Sequence, residues 1–203
     1  MTADQIGIWL ERHVPPLFPV ARALWHFGWR LLGRDYWQLR REFNYYREVV
    51  RLAKHYVPLG GRAIDVGASD ARLLSRLDWF SHRIALDARR IPRQRGVETI
   101  VRDFMTYESA YDIDLVLCLQ VLEHLADPPS FAQKVLRTGR IAIISVPWQW
   151  PRGLGEGHVQ DPVDGGKLER WTQRVPVETV IVEDKGRKRL IAVYRGPGSS
   201  PSL

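Results

Sequence analysis

At 203 residues the chain is long enough for one domain with a sizeable core, and its 45% apolar and 26% charged content is that of an ordinary globular protein. A single cysteine excludes a disulfide framework and a cysteine-built zinc site, and points to a reducing compartment. The net charge of +7 suits an anionic partner, but an incidental arginine-rich surface accounts for it equally well.

No window reaches the roughly 18 uninterrupted apolar residues of a membrane span. No charged start leads into a short apolar stretch either, so the expectation is a cytoplasmic protein.

Residues 1–57 read as a helical, aromatic-rich extension. A helix over 3–13 stops at Pro15, Pro16 and Pro19, and a second over 20–32 ends at Gly33. In the second, Arg22, His26, Arg30 and then Arg34 form a narrow basic stripe, opposite Leu24, Trp25, Phe27, Trp29, Leu31 and Leu32. Such a helix suits peripheral contact with a membrane surface, a lid over a catalytic domain, or a dimer contact. A third helix is predicted over 36–56, with Phe43, Tyr46, Val49, Val50 and Ala53 at helical spacing.

Residues 58–195 alternate strands and helices. Strands are predicted at 62–66, 83–87, 98–101, 113–119, 140–146, 178–182 and 189–194, and helices at 71–77, 129–137 and 165–173. The first strand runs into Gly67, a tight turn and a helix, and the second ends on Asp87, where an acid grips ribose hydroxyls. The last two strands, joined by Lys185-Gly-Arg-Lys, form a hairpin that adds antiparallel strands to a parallel sheet. The fold class is therefore α/β, a Rossmann-like doubly wound sheet of about seven strands with a C-terminal antiparallel hairpin and N-terminal helices. Cys118, inside the apolar run 115–119, is expected to be a buried thiol. The tail 196–203 has linker composition and is expected to be disordered.

The order Ile64-Asp-Val-Gly-Ala-Ser, Asp87, Arg102-Asp-Phe, then Asp114-Leu-Val-Leu-Cys-Leu-Gln-Val-Leu-Glu-His-Leu-Ala-Asp-Pro, and the closing hairpin resembles a class I S-adenosylmethionine-dependent methyltransferase of the small-molecule type. The likeness covers about residues 48–195, and Glu123-His124-Leu125 is its most specific piece. It implies S-adenosylmethionine as cofactor. Asp65, Gly67, Ala68 and Ser69 would line the methionine portion, and Asp87 the ribose, with Ala88 beside the adenine. Asp103 would accept from the adenine amino group, Phe104 would flank the ring, and Leu119 and Gln120 would lie near the sulfonium. Acids suit hydroxyl and amine donors, although Asp103 could instead cap a helix and Asp65 could brace the loop. The family turn carries two or three glycines, whereas Ser69 and Ala71 stand at the later positions here.

Two histidines are candidates for the catalytic base: His124, just past the fourth strand, and His158, in a loop over 148–166 that holds Gly153, Gly155, Gly157, Gly165 and Gly166. Trp148, Trp150, His158 and Asp161 could form an acceptor pocket, Glu123 could orient a neighbour, and Asp164 could cap a helix. Some quinone-type O-methyltransferases hold a metal on Glu-x-x-Glu-His; Gln120 replaces the first carboxylate, so no metal is predicted. The expected acceptor is a small molecule, a lipid-linked intermediate or a glycan precursor. Nucleic acid is not expected, because no Asn/Asp-Pro-Pro-aromatic signature follows the fourth strand. The alternative is a non-catalytic protein of the same fold that binds a partner or an anionic membrane.

Overall fold

The computed structural model describes residues 43–197. The chain divides between Phe43 and Asn44, and the account that follows is of the unit beginning at Asn44. The helices expected over 3–13 and 20–32, the start of the one over 36–56, and the tail from residue 198 lie outside the described residues.

The first element, α1 (Asn44–Tyr56), buries Tyr45, Val49, Leu52 and Ala53, a single stripe at i, i+4, i+7 and i+8. The stripe packs on the antiparallel end of the sheet. Asp184 caps the helix, its two carboxylate oxygens accepting the Asn44 and Tyr45 backbone N–H groups at 2.9 and 3.0 Å. At the other end Glu178 accepts from Arg51 and from the Tyr56 hydroxyl. Grouped with the N-terminal extension in the sequence reading, this helix is part of the sheet-bearing unit.

Seven strands form one sheet in the order β3-β2-β1-β4-β5-β7-β6. They are β1 (Arg62–Val66), β2 (His82–Asp87), β3 (Glu98–Val101), β4 (Ile113–Leu119), β5 (Gly139–Pro147), β6 (Glu178–Asp184) and β7 (Arg187–Arg195). The first five run parallel; β7 pairs antiparallel with both β5 and β6. Central strands carry near-continuous apolar runs, as strands covered on both faces must. The edge strand β6 alternates half-buried and exposed positions instead. Cys118 is fully buried. Between β1 and β4 the order of the sheet reverses, which opens a crevice at their carboxyl ends.

Helices α2 (Pro128–Thr138) and α3 (Gly165–Thr172) are capped by Asp127 and Asp164, which accept from the Ser130 and Lys167 N–H groups. The capping role expected of Asp164 is the observed one.

Three expectations are corrected. The hairpin loop is two residues, Lys185 and Gly186, both at positive φ, so β6 and β7 extend further than their hydrophobic runs. Gly196, placed in the disordered tail, donates its N–H to the Arg140 carbonyl at 2.7 Å and continues the pairing of β7 with β5 by one residue. The segment 71–77 is a 3-10 turn at Leu74–Arg76, not an α-helix. Its buried residues Ala71, Leu73, Leu74 and Leu77, with Phe80 beyond, fit the spacing of an α-helix as well as that of a 3-10 turn, and the backbone bonding decides between them. Its backbone bonds run from Ser75 to Arg72, Arg76 to Leu73 and Leu77 to Leu74.

Candidate active site

The crevice is lined by the strand ends of β1, β2, β3 and β4. After β1, Gly67 has φ +74, and a Cβ there would lie 2.6 Å from Val121 Cγ2, so only glycine fits this turn. The Gly67 and Ala68 N–H groups both donate to the Leu86 carbonyl, fixing the turn against β2. Ala68 is buried and Ser69 exposed.

Asp65 sits one residue inside β1 and is buried. Burial pushes its carboxyl up to about 8, and the nearby Asp87 and Asp70 carboxylates add to the shift. Asp87 ends β2 half-buried, its carboxylate accepting the Arg89 N–H at 2.7 Å; Ala88 beside it is exposed. Asp103 is exposed after β3, and Leu119 and Gln120 stand half-buried at the end of β4. These groups share the carboxyl edge of four adjacent strands.

Asp103 accepts the Met105 N–H at 2.8 Å, a turn-forming role. Phe104 departs from expectation. It is 3% exposed and packs its ring 4.9 Å from Phe131, in the core below the crevice, which leaves no free face to flank a ligand ring.

Gln120, directly after β4, is held in the left-handed region, at φ 58. Its N–H donates to the Ser145 carbonyl and its side-chain amide to the Ser145 hydroxyl, at 3.0 and 3.2 Å. The same hydroxyl lies 2.6 Å from the buried Tyr45 hydroxyl of α1. Sequence reasoning missed this support, because nothing local connects residue 45 to residues 120 and 145.

Beyond Gln120 the chain makes a 3-10 turn at Leu122–His124, and the loop over 148–164 folds onto it. The Val159 and Gln160 N–H groups donate to the Glu123 carbonyl, and the Gln160 amide to the Leu125 carbonyl. This brings His158 against His124, ring centroids 4.7 Å apart and nearly perpendicular. His158 Nδ1 lies 2.7 Å from Asp161 Oδ2, with Asp161 2% exposed; His124 Nδ1 lies 3.1 Å from the Gly157 carbonyl. Burial lowers the His124 imidazole below its ordinary value, the bond to Gly157 opposing this. Trp150 stacks on His158 at 5.7 Å and donates its indole N–H to the Lys188 carbonyl, with the Arg187 and Arg189 guanidinium groups over its ring.

Of the predicted acceptor pocket, Trp150, His158 and Asp161 converge. Trp148 packs against the core instead.

Glu123 is the residue whose role the sequence reading understated. It is wholly buried, and among the described residues no other residue hydrogen-bonds to its carboxylate oxygens. Burial pushes it up to about 8, with Asp161 adding to the shift and Arg189 opposing it.

The parallel sheet closed by an antiparallel hairpin is the fold of class I S-adenosylmethionine-dependent methyltransferases. The chain is similar to the N-methyltransferase NodS from Bradyrhizobium japonicum WM9 in complex with S-adenosyl-L-homocysteine. Identity is 15% and the TM-score 0.59, over 83% of this chain and 91% of that one. It is also similar to the 1,6-didemethyltoxoflavin-N1-methyltransferase of Burkholderia thailandensis, solved with bound 1,6-didemethyltoxoflavin and S-adenosylhomocysteine. There the identity is 17% and the TM-score 0.61, over 88% of each chain. The [4+2]-cyclase SpnF is 12% identical with a TM-score of 0.56, over 74% of this chain and 80% of that one. At such identities the likeness is one of fold, and this fold hosts more than one chemistry. No family model matches the chain, and no curated protein matches it in sequence.

Proposed function

We propose that the protein is an S-adenosylmethionine-dependent methyltransferase acting on a small-molecule, lipid-linked or glycan-type acceptor. The observation that carries this reading is the set of acids at the strand ends of a methyltransferase fold, Asp65, Asp87 and Asp103, beside the Gly67 turn. The donor set fits the cofactor. Asp87 suits the ribose hydroxyls and Asp103 the exocyclic amine, while Asp65 and its acidic neighbours suit the cofactor's ammonium. Gly67, Ala68 and Ser69 let the methionine portion lie against backbone, and Leu119 and Gln120 bound the reacting end. When bound, the cofactor supplies an activated methyl on a sulfonium. The chain's residues position the acceptor for in-line attack, which is the main requirement of such a displacement. His124 and His158 face that acceptor, and in the metal-free protein either imidazole takes the proton of an acceptor hydroxyl, Asp161 orienting His158.

The segment before Asn44 serves, in this reading, as a substrate lid or an anchor to a membrane surface. Among the described residues no helix is long and apolar enough to cross a membrane. Flotation on anionic liposomes, compared between the full chain and one lacking residues 1–35, tests the anchor, and equal recovery rejects it.

Calorimetry with S-adenosylmethionine and S-adenosylhomocysteine tests the central reading. Saturable binding is expected, weakened at least about tenfold in Asp87→Ala, since a charged hydrogen bond is worth about 1.5–3 kcal/mol. Absence of heat would reject the enzyme, and unchanged affinity in the variant would reject the pocket. One observation favours the second reading, a non-catalytic binding protein: the turn after β1 enters a 3-10 turn, so no α-helix N-terminus is offered to the cofactor. Cofactor binding without turnover over a panel of acceptors is its expected outcome.

A further inference from the structure

We propose that Glu123, His124 and His158 bind one first-row divalent metal ion, zinc in the first instance, at the acceptor edge of the crevice. One ligand atom from each residue lies within 4.8 Å of those of the other two. Two adjacent residues of the 3-10 turn supply the first pair, and the loop fastened to that turn supplies the third.

Three independent features point the same way. Glu123 is fully buried with both carboxylate oxygens lacking a partner among the described residues, an arrangement that is costly unless a cation completes it. Both rings are engaged through Nδ1, His158 by the Asp161 carboxylate and His124 by the Gly157 carbonyl, which leaves Nε2 as the free nitrogen of each. A ring held by an outer carboxylate or carbonyl in this way is how metal-ligating histidines are oriented. The backbone also makes room, since a Cβ on Gly155 would fall 2.2 Å from the His158 ring.

The donor set, two imidazoles and one carboxylate, suits zinc, iron, cobalt or manganese rather than the oxygen-only shells of calcium and magnesium. Ligand atoms about 2.1 Å from one ion stand roughly 3.5 Å apart, so the cluster tightens by about an ångström on loading. His124 is exposed, which provides an entry path, and three protein ligands leave a position open for an acceptor oxygen. In the loaded protein the imidazoles are ligands rather than bases, and the ion lowers the pKa of the acceptor hydroxyl. Here alone the proposal rests on the methyltransferase reading; binding of the ion does not. Sequence reasoning expected no metal because Gln120 replaces a carboxylate, and it had no means of bringing His158 to the turn.

The full chain, stripped with chelator, is titrated with zinc chloride by calorimetry in the absence of cofactor and loaded in parallel with cobalt for its visible absorption. One ion per chain is expected, with affinity falling about tenfold or more in Glu123→Gln and in His158→Gln, and also in Asp161→Asn through loss of the outer bond. Lack of stoichiometric binding, or the same affinity in all three variants, overturns the proposal. Should Glu123→Gln fail to fold by circular dichroism, the exposed His124→Gln replaces it, with the same criterion. S-adenosylmethionine binding measured on the same samples separates the two readings: zinc bound without cofactor binding rejects the enzyme and keeps the site.

Discussion

At the scale of single residues, two positions carry opposite demands of fold and function. Asp65 lies buried in β1 with its pKa raised from 3.8 to about 8. The folded protein therefore holds a proton that the unfolded chain releases above about pH 4, and stability falls as the pH rises from about 4 to about 8. The difference between the stability curves of wild type and Asp65→Asn isolates this contribution; the variant is expected to lose that slope and to gain on wild type toward pH 8. Equal slopes in urea titrations across this range would contradict it. Gly67 faces the reverse constraint. With φ +74 and Val121 2.6 Å from where a Cβ would stand, Gly67→Ala is expected to lose about 1–3 kcal/mol of stability in denaturant unfolding, together with cofactor affinity. Gly67, Asp65 and Asp87 were legible in the sequence because a strand, a turn and an acid are local patterns. Glu123's isolation was not, because burial without a partner depends on a loop some 35 residues away. Phe104 was misread for a related reason: its neighbour Phe131 belongs to a helix that local pattern cannot place.

At the scale of elements, hydrophobic period decided most assignments and failed where two periods compete. The seven strands were readable from alternating or continuous apolar runs. Residues 71–80 also carry a strong apolar pattern, but its buried positions, Leu73, Leu77 and Phe80 among them, suit an α-helix as well as the 3-10 turn that forms, so period alone does not separate the two. Helix α1 depends on a cap that sequence could not supply, since Asp184 lies 140 residues from Asn44. Asp184→Ala is expected to lower the urea midpoint by an equivalent of about 1 kcal/mol with the m-value unchanged. A larger loss would mean that α1 supports the Tyr45–Ser145–Gln120 contacts as well as its own packing.

At the scale of the whole molecule, strand order separates stability from chemistry. The interior of the sheet is mostly apolar, with Asp65, Ser145 and Arg189 as buried exceptions, while Asp87, Asp103, His124 and His158 stand at the carboxyl ends of the parallel strands and in the loops beyond them. Asp87→Ala is accordingly expected to keep the wild-type unfolding midpoint within about 0.5 kcal/mol while losing cofactor affinity, and a concerted loss of both would show that the edge is part of the core.

The loop over 148–164 is fastened to Glu123 and to β7 largely through main-chain groups: the Val159 and Gln160 N–H groups, and the Lys188 carbonyl that receives Trp148 and Trp150. Anchorage of this kind is indifferent to most side chains. Exposed positions such as Val159 are free to diverge while the attachment stays in register. The fold thereby carries an exchangeable cassette, a loop whose sequence can change without rebuilding the sheet beneath it.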